Sequence, residues 1–185
     1  LKGGSEYTSS KCYCGEELGA KAEPTILKEK GREIRVCGEA CKARFQADPE
    51  AALKKIDEQM ISEQKPHYPL DTCVVTGEAL GENPVNTVYQ NRLVRFCTAD
   101  ALEKFNENPE PFIAALDKAV VEKQSKDYPV ETCPVMGGKV DETSTSYVAG
   151  DRVIRFCCPG CVDEFKKDPA KFIKVLDEAE AKKPE

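Results

Sequence analysis

The segment Arg152-Val153-Ile154-Arg155-Phe156-Cys157-Cys158-Pro159-Gly160-Cys161 decides the fold. Its first half is an alternating, β-branched strand. Tyr147-Val148 and the turn Ala149-Gly150-Asp151 precede it, so the strand is the second arm of a hairpin, with Gly-Asp supplying the reversal. A short helix is expected from about Pro159, carrying Phe165 inward. Asp168-Pro169 then opens a second helix, an N-cap residue followed by proline at the first helical position. Phe172, Ile173 and Leu176 fall on one face of that helix.

The same pattern occurs three times. A shift of 60 residues lays Arg92-Leu93-Val94-Arg95-Phe96-Cys97 on Arg152 to Cys157, and Tyr68-Pro69 on Tyr128-Pro129. It lays Thr72-Cys73 on Thr132-Cys133, and Phe105, Pro109, Phe112, Ile113, Leu116 and Asp117 on their counterparts from Phe165 to Asp177. The shift also carries Arg35, Cys37, Phe45, Pro49 and Asp57 onto the second copy. Only the front of the first copy is out of step, by about a residue. A repeat at this period is one structural unit used several times. The units are 1–65, 66–125 and 126–185. The predicted fold class is α+β: three tandem β-hairpin-plus-helix units, joined by helical connections. The charged tails Leu53 to Gln64 and Ile113 to Lys126 are expected to form stalks to the next copy.

Composition narrows the function. The chain of 185 residues carries 27 Lys plus Arg against 33 Asp plus Glu, a net charge of −6. An acidic chain without a basic block is a poor partner for nucleic acid or an anionic membrane. No apolar run is long enough to span a membrane. A single histidine, His67, excludes a multi-histidine metal site within one chain. No Ser-His-Asp set, P-loop or dinucleotide-binding glycine pattern is present, and no enzymatic activity is expected.

Ten cysteines stand out. Units of about 60 residues bury little core and often need a disulfide, a metal or a neighbour. The third unit reads Cys133-x23-Cys157-x3-Cys161, with Cys158 beside Cys157. The first reads Cys12-x24-Cys37-x3-Cys41, with Cys14 nearby. The second keeps Cys73-x23-Cys97 but has Ala101 at the third position. The second cysteine ends a strand and the third lies in the first turn of a helix, whose N-terminus is expected to lower its pKa. The hairpin returns the chain so that the opening cysteine approaches both. Three or four convergent thiolates make a soft-metal site, for Zn or Cu(I). The candidate ligands are Cys12, Cys14, Cys37 and Cys41, and Cys133, Cys157, Cys158 and Cys161. Met136 is expected to pack, although a thioether is a credible Cu(I) ligand.

The segments Cys133-Pro134-Val135-Met136-Gly137-Gly138-Lys139-Val140, Phe156-Cys157-Cys158-Pro159-Gly160-Cys161 and Phe165-Lys166-Lys167-Asp168-Pro169 resemble the YHS/TRASH domains. Thr72 to Glu78 with Leu93 to Cys97 is similar to the same group. The Tyr-His-Ser signature itself is absent. The resemblance implies treble-clef-like modules associated with heavy-metal sensing, trafficking and resistance, many of them in exported bacterial proteins. It places Cys133, Cys157 and Cys161, and Cys12, Cys37 and Cys41, at the family's three-cysteine positions, and makes the second unit a degenerate spacer.

Other readings compete. A disulfide-stabilised interaction or scaffold protein of the cell envelope, with an envelope protein as partner, would use the same cysteines. A Cys73–Cys97 bridge would close a loop of 25 residues, a contribution of about 3 kcal/mol. Cys158-Pro159-Gly160-Cys161 is also a C-x-x-C near a helix start, as in thiol–disulfide oxidoreductases, but without their βαβ surroundings. Export to the periplasm or a lipid anchor at the envelope is expected, the chain opening at Leu1 without a signal peptide. His67 reads as an exposed linker residue. Arg35, Arg95 and Arg155 read as solvent-facing, and Asp177-Glu178-Ala179-Glu180 as a solvated helix face.

Overall fold

A computed structural model describes residues 5–182. The outermost residues of the first and third units, 1–4 and 183–185, lie outside the described residues. The first unit has β1 (Thr25–Glu29), β2 (Arg32–Val36), α1 (Glu39–Ala47) and α2 (Pro49–Gln64), ending in a single 3-10 turn at Lys65–His67. The second has β3 (Val85–Tyr89), β4 (Arg92–Phe96), α3 (Ala99–Glu107) and α4 (Glu110–Gln124). The third has β5 (Thr145–Ala149), β6 (Arg152–Phe156), α5 (Gly160–Lys167) and α6 (Pro169–Glu180). The architecture is α+β, with three two-stranded antiparallel sheets.

Local chemistry explains the elements. Glu29 faces Arg32, Tyr89 faces Arg92 and Ala149 faces Arg152, so each hairpin turns in two residues. The first turn residue has positive φ throughout: Lys30 at 49°, Gln90 at 48° and Gly150 at 56°. Tight hairpins require that conformation. Asp48 caps α2 by accepting from the Ala51 N–H at 3.0 Å, and Asp168 caps α6 by accepting from Lys171. Asn108 does not repeat this: α4 begins at Glu110, without a side-chain cap. Phe45, Phe105 and Phe165 are the buried plugs of the three cores. Phe165 is ringed by Tyr147, Phe156 and Phe172.

The helical tails are not free stalks. Each tail lies against the hairpin of the next unit. Met60 is buried in the first core together with Val88 of the second hairpin. Val120 packs with Val148 and Val153 of the third. The last residue of each tail completes the joint. Gln64 Nε2 donates to the Asn91 carbonyl at 2.7 Å, and its Oε1 accepts from the Leu93 N–H at 2.8 Å. Gln124 repeats both bonds, to the Asp151 carbonyl and from the Val153 N–H. An arginine at the start of the second strand reinforces each joint. Arg32 binds Asp57 of its own α2 and Asn91 of the next hairpin. Arg92 binds Asp117 of α4 and Asp151.

The first and third units also meet. Arg35, expected at the surface, is buried, and it donates to the Lys166 and Lys167 carbonyls at the end of α5. A guanidinium satisfies carbonyls that a helix C-terminus leaves open. Tyr147 Oη donates to Glu6 at 2.6 Å. Arg95 and Arg155 are half-buried, over the Tyr68 and Tyr128 rings. Each unit therefore touches both others.

The second joint differs from the first in charge. Arg32 faces one carboxylate and the Asn91 amide, whereas Arg92 faces two buried carboxylates, Asp117 and Asp151. Asp151 Oδ2 is buried without a hydrogen-bond partner. Burial pushes the Asp151 carboxyl up to about 7, with Asp117 adding to the rise and Arg92 opposing it. A raised folded pKa gives stability that is complete below the unfolded value and lost as pH rises through the folded one. Asp151 therefore weakens the fold between about pH 4 and about pH 7. Asp151→Asn should raise Tm at pH 8 by about 3 °C or more, the shift one kcal/mol gives in a chain of this size, and flatten the decline. Asn91→Asp should impose a second decline. Calorimetry at pH 5 and pH 8 checks both, and parallel pH profiles for wild type and Asp151→Asn would refute the assignment.

Candidate metal centre

Each unit opens with a tight backbone turn around its first cysteine. The Cys133 N–H donates to the Gly138 carbonyl at 2.7 Å, and the Gly137 N–H returns to the Cys133 carbonyl at 2.8 Å. Cys73 with Glu78 and Gly77 repeats the pair, and so does Cys12 with Glu16 and Gly15. The turn needs a left-handed residue, and glycine supplies it at φ 91° (Gly15), 76° (Gly77) and 70° (Gly137). The second cysteine follows the second strand directly. The third sits at the start of the helix after it, as Cys41 in α1 and Cys161 in α5.

This geometry assembles two thiol clusters. The Sγ atoms of Cys12, Cys14, Cys37 and Cys41 all lie within 4.8 Å of one another. Cys14 and Cys41 are each 3.6 Å from Cys37. Sulfurs around tetrahedral Zn(II), at about 2.3 Å from the ion, stand about 3.8 Å apart. The two short separations are close to that spacing, and the four thiols could hold a soft cation. In the third unit Cys133, Cys157 and Cys161 form a set within the same limit. Cys158 is not part of that set, although its Sγ lies 3.4 Å from Cys161. All ten cysteines are free thiols.

The thiols are not equivalent. Burial would raise Cys133, but the N–H groups of Met136, Cys157 and Val135 outweigh it and lower its pKa. Cys73 has the same cradle from Cys97, Thr76 and Val75, and is lowered to about 7 against its burial. Cys12 receives N–H groups from Cys14 and Cys37, but burial dominates and its pKa is raised. Cys41 and Cys161 are raised, first by burial and then by neighbouring thiols. This overturns the expectation that the helix N-terminus makes the third cysteine the acidic one. Cys158 is lowered, chiefly by the Cys161 thiol. Cys14 is lowered despite its burial, by the Glu16 N–H and the surrounding thiols.

The second unit keeps the turn and the cradle without a third thiol. Ala101 fills that position, and the Thr76 hydroxyl lies 3.3 Å from the Cys97 Sγ.

A third group escaped the sequence reading. His67, Asp177 and Glu180 bring donor atoms within 4.8 Å of one another. Arg152 binds all three, Asp177 at 2.6 Å, Glu180 at 3.0 Å and His67 Nε2 at 3.1 Å. The guanidinium already answers both carboxylates, and burial followed by Arg152 lowers the His67 pKa. His67 is thus a half-buried junction residue rather than a free linker, and Asp177 and Glu180 are ion-paired rather than merely solvated. Only the 60-residue period pointed to this corner, by placing Asp177 on Asp57 and Asp117.

No family model, curated protein or solved structure matches the chain.

The two lowered thiols outside the buried cores separate ligand from bystander. In metal-free protein at pH 7, Cys14 and Cys158 should alkylate first, and Cys41 and Cys161 last. Added Zn(II) should protect Cys14 and leave Cys158 reactive. Mass-spectrometric footprinting reads each cysteine separately. Equal protection of Cys158 and Cys157 would place Cys158 inside the site.

Proposed function

We propose that this chain is a non-enzymatic soft-metal binding protein with one site in the first unit and one in the third. The observation that carries the reading is the convergence of thiols from three separate elements, twice, with all sulfurs of each set within 4.8 Å of one another. The donor sets are all sulfur, which suits Zn(II) or Cu(I) and disfavours hard cations such as Mg(II) or Ca(II). The N–H cradle on Cys133 supports a thiolate, the form that binds metal.

The opening turn, hairpin and helix, together with the Cys-Pro-Val-Met-Gly-Gly and Phe-Cys-Cys-Pro-Gly-Cys motifs, also support reading the units as YHS/TRASH-like, treble-clef-related modules. On that reading the protein handles heavy metals outside the cytoplasm, and the second unit is a degenerate spacer.

Protein purified without oxygen and challenged with Zn(II) or Cu(I) should hold about two equivalents. Cys37→Ser and Cys157→Ser, at half-buried positions, should each lose one equivalent. Cys97→Ser should lose none. Elemental analysis with a thiol count on the same samples tests all three. No bound metal, with most cysteines paired, would instead identify a disulfide-stapled scaffold.

A further inference from the structure

One position in the opening turn sets the two sites apart. The residue before the left-handed glycine is Cys14 in the first unit, Thr76 in the second and Met136 in the third. A shift of 60 residues hides the first of these, because Cys12 reaches Gly15 in three steps and Cys133 reaches Gly137 in four. The hydrogen bonds restore the alignment. Each glycine N–H donates to the carbonyl of the opening cysteine at 2.8 Å. The N–H groups of Cys14, Thr76 and Met136 each point at the Sγ of their own opening cysteine. The backbone thus starts all three side chains from the same place.

Where the side chain is short, its destination is visible. Cys14 Sγ lies 3.6 Å from Cys37, and Thr76 Oγ1 lies 3.3 Å from Cys97. Both approach the sulfur that follows the second strand. The corresponding sulfur in the third unit is Cys157, a member of a set that has three thiols where the first unit has four. Met136, expected to pack, is instead 72% exposed, three residues after Cys133 of that set. It is one of three large apolar side chains that the described residues leave in solvent, and core packing does not account for it there.

We propose that the Met136 thioether is the fourth ligand of the third-unit site, which gives that site three thiolates and one thioether and makes it selective for Cu(I), while the four-thiolate set of the first unit takes Zn(II). The proposal rests on the reading of Cys133, Cys157 and Cys161 as metal ligands. Thioether sulfur is neutral and soft, so it suits Cu(I) and contributes little to Zn(II), which favours thiolate or imidazole. Three rotatable bonds let Met136 swing onto an ion held by the three thiolates. Two sites on one chain would then differ in metal because the residue before the left-handed glycine differs.

The test uses the full chain with the first site disabled by Cys14→Ser and Cys37→Ser, neither of which is a fully buried position. Cu(I) and Zn(II) affinities are measured anaerobically by chelator competition, and sulfur coordination is counted by X-ray absorption. In that background Met136→Leu should weaken Cu(I) binding by roughly tenfold or more, the scale on which even outer-shell partners tune metal affinity, and remove one sulfur. Zn(II) binding should barely move. Met136→Cys should build a four-thiolate set in the third unit and raise Zn(II) affinity by a similar factor. Unchanged Cu(I) affinity and sulfur count in Met136→Leu would overturn the proposal. So would the same losses appearing in Cys158→Ser, since Cys158 would then be the fourth ligand. Cys157→Ser separates the two levels: if it loses no metal, the metal-site reading of the third unit falls first, whatever Met136 does.

Discussion

One sulfur pinned by backbone amides holds each unit in shape. Cys12, Cys73 and Cys133 are buried, and each receives N–H groups from two places, the opening turn and the residue after the second strand. That sulfur ties the front of the unit to the end of its hairpin. One or two residues later the chain enters the helix that carries the third-cysteine position and the core phenylalanine. The second unit shows that the pin is structural as well as chemical. It has lost the third thiol to Ala101, yet it retains the same turn, the same cradle and a fully buried Phe105. The fold of the unit therefore does not depend on the third thiol.

The assembly of the units depends on a second repeated device. A helix end presents the amide of Gln64 or Gln124 to the hairpin turn ahead of it, where the amide bonds one carbonyl and one N–H much as a neighbouring strand would. An arginine ties the same turn to an aspartate on its own helix. The third unit has Arg152 and Asp177 in these roles, but Glu180 occupies the position held by Met60 and Val120. Glu180 pairs with Arg152, and His67 is drawn into the same corner. A polar residue there replaces the apolar contact that Met60 and Val120 make with the following hairpin.

Much of this was legible in the residues. The 60-residue period, the hairpins, the Asp-Pro helix starts and the aromatic plugs all follow from local chemistry, and so do the two cysteine sets. What was not legible depended on contacts between units. Arg35 alternates with apolar residues and reads as solvent-facing; only the end of α5, more than a hundred residues away in sequence, explains its burial. His67 reads as a linker because its partner, Arg152, lies in another unit. Met136 reads as a packing residue because methionine usually is one, and its exposure is a property of the folded turn. The equivalence of Cys14 and Met136 was masked by a single-residue difference in turn length. Cys158 could not be separated from Cys157 by spacing, since adjacent residues share a spacing and differ only in where the turn aims them.

The contact between Arg35 and the end of α5 has a consequence for how the molecule comes apart. In an open row of repeats each unit meets only its neighbours, and the row can fray from either end at the cost of one interface. Here the last unit returns to the first, so detaching any one unit breaks two interfaces at once. Partly unfolded forms that keep two units are disfavoured accordingly. The closing contacts span most of the chain, so they are also the slowest to form, because distant segments must meet before the contacts stabilise anything.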